Sequence, residues 1–196
     1  MTGAQYFIRP ASKIRQESLR VSRPFSYLFI VFFALLTGLL GLLMSRSGAP
    51  LYTTVVTLIL GRGLSLLYAH PYYAFAAITG FSFLFVMVLC GAFYVAARFS
   101  NRKPTFRKMV DLVSLSLVYP VAMEVFLLIT ILLGSRGSLS LIIISILLMS
   151  ITHLLSFRSA LALTEDAVFF FLMFVYVSSY LLLSVLLSVG VRMLIA

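Results

Sequence analysis

Residues 97–125 read ARFSNRKPTFRKMVDLVSLSLVYPVAMEV, a basic loop that runs without a break into an apolar stretch. Arg98, Arg102, Lys103, Arg107 and Lys108 supply five cations within 11 residues, and the stretch behind them holds Pro120 and Glu124. Clustered Lys and Arg beside an apolar run settle which way a chain crosses a membrane, because cytoplasmic loops retain them. Glu124 is the acid placed deepest within an apolar run. The rest of the chain is read outward from these two features.

Of 196 residues, 62% are hydrophobic and 10% charged, with a mean hydropathy of +1.14. Soluble domains carry roughly a quarter charged residues, so this composition belongs to an integral membrane protein. The length accommodates about five spans of ~20 residues with short connections. The expected fold is all-α: a polytopic integral membrane helix bundle of about five transmembrane helices plus one interfacial or re-entrant helix. It forms a single membrane domain over residues 25–196, behind a basic cytoplasmic tail of residues 1–24.

The net charge of +10 would suggest nucleic acid in a soluble protein. Here the cations lie between apolar runs, where they serve topology and attraction to anionic lipid head groups, and no nucleic acid partner is expected. The single cysteine, Cys90, excludes an intramolecular disulfide and a thiolate metal cluster, and reads as a small buried hydrophobe. GxSxG, HExxH, CxxC and GxxxxGK motifs are all missing, and there are only two histidines. The expectation is a protein that is not an enzyme and carries no metal or cofactor.

The tail carries Arg9, Lys13, Arg15, Arg20 and Arg23 against Glu17, and Ile14, Leu19 and Val21 interleave with these cations. That pattern predicts a short surface-lying helix within residues 12–22 on an anionic leaflet. The apolar run from Phe25 to Met44 exceeds a signal-peptide core of about 7–15 residues and reads as an uncleaved first span. The Arg-rich, acid-poor tail also suits an organellar transit peptide. The expected location is therefore a bacterial inner or plasma membrane, with an organellar membrane as the alternative.

Further spans are predicted at about 74–97, 109–133, 139–155 and 167–189, the first at about 25–44. Gly80 and Gly91 are expected to be small packing positions in the second. Residues 51–68 are long enough to tempt a further span, but Arg62 lands near the middle of their apolar side. Burying it would cost about 2.5–3.5 kcal/mol, so the segment is read as interfacial or re-entrant. Without that crossing, the tail, the 98–108 loop and Arg158 gather eleven cations on one side, and Arg46, Arg62, Arg136 and Arg192 leave four on the other. The amino terminus is accordingly expected in the cytoplasm.

Glu124, Pro120 and His153 are the intramembrane polar candidates. An ionisable group inside a span faces a partner or a water-filled cavity. Pro120 removes a backbone donor and frees the Ser116 carbonyl, which predicts a kink just before Glu124. Counting antiparallel from the turn GSRGS at 134–138 places His153 about one turn from the level of Glu124, within reach of a contact. Asp111, Glu165 and Asp166 read as first-turn carboxylates that offset helix dipoles, with Thr164 capping the last span and Asp111 also offering a cytoplasmic contact. Arg98, Arg102, Lys103, Arg107 and Lys108 are the lipid- or partner-contact candidates. His70 reads as part of an outer aromatic belt, and Ser178, Ser179, Ser184 and Ser188 read as helix-packing positions.

Residues 94–130, YVAARFSNRKPTFRKMVDLVSLSLVYPVAMEVFLLIT, resemble the middle of the Yip1 family, especially its bacterial members. The likeness rests on Arg98, Lys103, Phe106, Tyr119 and Pro120. It implies a five-span domain with a cytoplasmic amino terminus, acting as a membrane-embedded scaffold or adaptor. The Asp-Leu-Tyr-Gly-Pro element of eukaryotic members is missing, so Rab GTPase binding is not implied. The expected partners are anionic lipid head groups and other membrane proteins or a second copy of the chain. The alternative function is a small transporter or channel component with a polar path around Glu124 and His153.

Overall fold

The computed structural model describes residues 10–19, 25–46, 71–99, 104–134 and 139–195, and these are helical almost throughout, with no strand among them. In chain order the helices are α1 Pro10–Ser18, α2 Ser26–Arg46, α3 Pro71–Phe99, α4 Phe106–Ser116, α5 Val118–Leu132, α6 Leu139–Leu161 and α7 Glu165–Ile195. Among the described residues, four stretches are long and apolar enough to cross a membrane: Ser26–Arg46, Tyr72–Arg98, the α4–α5 pair over Phe106–Leu132, and Ile143–Leu161. At 1.5 Å per residue, the 21 residues of α2 span about 31 Å, close to the hydrocarbon thickness of a bilayer. In α7 the apolar helix Asp166–Leu182 is shorter, within a helix of 31 residues. Residues 51–68 with Arg62, and His70, Arg102, Lys103 and Arg136, lie outside the described residues.

Proline chemistry dictates the shape of the third span. The Pro120 ring occupies the space of a helical bond to the Ser116 carbonyl, and the helix breaks at Leu117. There the Leu117 N–H donates to the Ser114 carbonyl at 3.3 Å, a tighter turn, and regular bonding resumes with the Val121 N–H on the Leu117 carbonyl at 2.9 Å. The break divides the span into two environments. Met109 to Leu117 are all buried at the centre of the bundle, whereas Val125, Phe126, Ile129 and Leu132 of α5 are exposed, as side chains facing lipid would be.

Around α4 stand α2, α3 and α6, with α7 against α3 and α6. The core gathers on the aromatic side chains where α3, α6 and α7 meet: Phe93 stacks on Phe157 at 4.0 Å between ring centroids and lies 5.7 Å from Phe171. Cys90 is buried in the same cluster, as expected of a small hydrophobe. Close helix packing occurs at α2 on α3. A Cβ on Gly38 would overlap the Thr79 hydroxyl and sit 3.0 Å from the Phe75 carbonyl, and one on Gly41 would overlap the Ile78 side chain. Gly80 and Gly91 are not the packing positions expected of them, because a Cβ on either would meet nothing within 4 Å. The small-residue spacing that matters is Ala34 and Gly38 on α2, four residues apart and both buried.

Two boundaries differ from expectation for identifiable reasons. The span predicted at 139–155 continues as α6 to Leu161, because Ser156, Phe157 and Leu161 carry its buried face on, with Arg158 and Ser159 half-buried beside them. It ends at Ala162, with a left-handed φ of 50°, and the Leu163 N–H caps the Arg158 carbonyl. The third span starts at Phe106, three residues before the predicted Met109, because Thr105 caps it, its hydroxyl accepting from the Lys108 N–H at 3.2 Å.

Candidate functional site

The polar side chains inside the bundle fall along the kinked α4–α5 span, each level meeting a different helix. At the first level, Asp111 is the sixth residue of α4 and only 2% exposed, and it accepts the Ser26 hydroxyl at 2.6 Å. This corrects its expected place in the first turn: the carboxylate lies inside the bundle. At the far level, the Thr37 hydroxyl of α2 lies 2.7 Å from Glu124 Oε1 of α5. The two pairs join residues 85 and 87 positions apart, so α2 and the α4–α5 span run parallel and in register, with two extra residues absorbed around Leu117.

The chemistry at Glu124 is constrained by the one proton of the Thr37 hydroxyl. Two oxygens lie within its reach, the Phe33 carbonyl at 2.9 Å and Glu124 Oε1. Both contacts are full hydrogen bonds only when the carboxyl is protonated and itself donates to Thr37 Oγ1. Glu124 Oε2 is buried and has no hydrogen-bond partner among the described residues, and the same holds for Thr79 Oγ1 and Ser179 Oγ.

His153 occupies the level between. Its Nε2 lies 2.6 Å from Ser116 Oγ and its Nδ1 2.6 Å from the Tyr176 hydroxyl, joining α4, α6 and α7, with Phe93 and Phe157 packed on the ring. The Ser116 hydroxyl donates its proton to the Val113 carbonyl at 2.6 Å. It therefore accepts from Nε2–H, and Nδ1 accepts from Tyr176, which gives one directional chain ending on backbone. The contact between Glu124 and His153 that the count put within reach is not made. His153 pairs with Ser116, eight residues before Glu124 and about 12 Å away along the helix axis, so counting from the turn misplaces the register by more than a turn.

The amino-terminal helix is seated differently from expectation. Instead of lying on the surface, α1 fills a groove formed by the α4–α5 break and α6, with Ile14 packed on Leu115 and Tyr119, bordered by Val118, Leu148 and Leu155. Lys108 Nζ donates to the Ser18 carbonyl at 2.7 Å, which holds the C-terminal end of α1 at the start of α4. The buried face comprises Lys13, Ile14, Glu17 and Ser18, and Leu19 is 66% exposed. What permits a polar buried face is the Lys13–Glu17 ion pair, 2.9 Å long and nearly inaccessible. A pattern reading that sought apolar residues on the buried face could not find it.

Of the basic-loop candidates, Arg98 is exposed and donates to the Tyr94 hydroxyl, Arg107 is exposed, and Lys108 clamps α1. Phe106 packs edge-on against Tyr94. Thr164 caps α7 as expected, accepting from the Ala167 N–H at 3.4 Å, and Asp166 is exposed in its first turn. Sequence reasoning missed Ser26, Thr37 and Tyr176 as the partners of the buried polar groups. A lone hydroxyl residue within a long apolar run was the available signal for Thr37. Comparison of the chain with protein-family models, with curated proteins and with solved structures gives no match.

Proposed function

We propose that the chain is a non-enzymatic, five-span membrane scaffold or adaptor of Yip1-like type, with its amino terminus in the cytoplasm, acting by packing against membrane proteins or lipids. The observation that carries this reading is the use made of the interior polar groups. Asp111, His153 and Glu124 each join neighbouring helices through hydroxyl side chains, and are spent on holding the bundle together. The cytoplasmic contact surface is the basic loop, with Arg98 and Arg107 exposed on it. Replacing Arg102, Lys103 and Arg107 by Gln leaves the Lys108 clamp in place and should abolish recovery of partner proteins or anionic lipid with the chain in mild detergent. Recovery unchanged from the native chain would overturn the reading.

The transporter alternative keeps one specific support, the buried and unpartnered Glu124 Oε2. It predicts proton or small-solute flux in proteoliposomes that Glu124→Gln removes. Flux that is nil, or equal in the two chains, sinks it.

A further inference from the structure

Helix α1 combines two properties that rarely belong to a permanent core element. Its buried face is polar at three of four positions, with Ile14 as the sole apolar anchor, and it is nine residues long, too short to hold a helix by itself in water. The groove beneath it is apolar, lined by Leu115, Tyr119, Leu148 and Leu155. The segment around it carries Arg9, Lys13, Arg15, Arg20 and Arg23 against the single acid Glu17. Seated in the groove, α1 has Lys13 neutralised by Glu17 and presents Arg15 outward.

We propose that α1 is a reversible latch: it closes the groove between the α4–α5 break and α6, and an anionic leaflet draws it out to lie on the membrane surface. Two opposed attractions set the balance. Inside the groove α1 gains the Ile14 contact, the sheltered ion pair and the Lys108 clamp on Ser18. On the leaflet the tail's cations meet lipid phosphates, each strengthening attachment about fivefold, and Ile14 enters the interface in place of the groove. The Lys108 bond to the Ser18 carbonyl is broken in the same step. Withdrawal uncovers the apolar groove, so the lipid composition of the membrane decides whether that groove is available. This goes beyond the scaffold reading and does not depend on it, since the seating of α1 is read as a distance and not as recruitment of a partner.

The test places spin labels on the full chain at Gln16→Cys, on the exposed face of α1, and Ser159→Cys, near the end of α6, in a Cys90→Ala background. Distances are measured by pulsed electron resonance in vesicles. In phosphatidylcholine a single short distance is expected. With about a third phosphatidylglycerol, a second, longer distance should grow to about half the population, and high salt should reverse it by screening. Glu17→Gln, which removes the sheltered Lys13–Glu17 ion pair, should give the long distance even in phosphatidylcholine. Replacing Lys13 and Glu17 together by Leu should keep the short distance in both vesicles. One unchanged distance in both lipids, a long distance already present in phosphatidylcholine, or a Glu17→Gln chain that stays short would each overturn the latch.

Discussion

At the scale of single residues, the bundle depends on a few positions where space or hydrogen bonding leaves no choice. Gly38→Ala would press a methyl group onto the Thr79 hydroxyl and the Phe75 carbonyl, one of them backbone that cannot step aside. A loss of about 1–3 kcal/mol is expected. Gly80→Ala meets open space and should be neutral or stabilising by about 0.5–1 kcal/mol through helix propensity. Thermal unfolding of both variants in one detergent checks the pair; equal losses would mean that the α2–α3 seam is not where the helices touch. His153→Ala leaves a void among Phe93 and Phe157 and two hydroxyls, Ser116 and Tyr176, without their partner. The expected cost is about 3–5 kcal/mol, seen in the same assay. The sequence made Glu124 and His153 visible, because a titratable group in an apolar run is conspicuous. Their partners were not visible, because which hydroxyl meets which ring depends on a register that the Leu117 break shifts.

Among the elements, the α4–α5 span shows how one residue redirects a helix and what the redirection does. Pro120 and the freed Ser116 carbonyl were legible in the sequence; that Met109 to Leu117 would all be buried while α5 exposes Val125, Phe126, Ile129 and Leu132 was not, since both read as one apolar run. The same limit applied to α6, whose polar last turns looked like a connection until packing carried them to Leu161. The break has a measurable role. It lets the 14 residues Asp111 to Glu124 match the 12 from Ser26 to Thr37. Pro120→Ala restores the N–H at position 120 and removes the ring, so the span can straighten and carry Glu124 out of register with Thr37. A double-mutant cycle of Thr37→Val and Glu124→Gln should report a coupling of about 0.5–1.5 kcal/mol in the native chain and close to zero in Pro120→Ala. Equal coupling in both backgrounds would show that the break does not set the register.

For the whole molecule, the consequence is a set of directions that helix contacts fix relative to one another. The paired bonds from Ser26 and Thr37 make α2 and α4–α5 parallel. The ends of α2 and α3 meet where Arg46 lies 5.9 Å over the Tyr72 ring, so the chain leaves α2 and enters α3 on the same side. The orientation proposed above rests on charge: the positive-inside bias favours the side of the tail, the 98–108 loop and Arg158, eleven of the fifteen cations in the sequence, as the cytoplasmic one. Reporters fused after Ser100 and after Leu163 should therefore both be cytoplasmic, and those after Gly48 and Gly134 should both lie across the membrane. Gly48 and Ser100 flank one crossing, and Gly134 lies one further crossing beyond Ser100, so the four sites test the contacts and the charge rule separately. If all four invert, the bundle stands and the charge argument is wrong. If Gly48 alone changes side, α2 has been assigned the wrong direction, and the Arg46–Tyr72 contact with it.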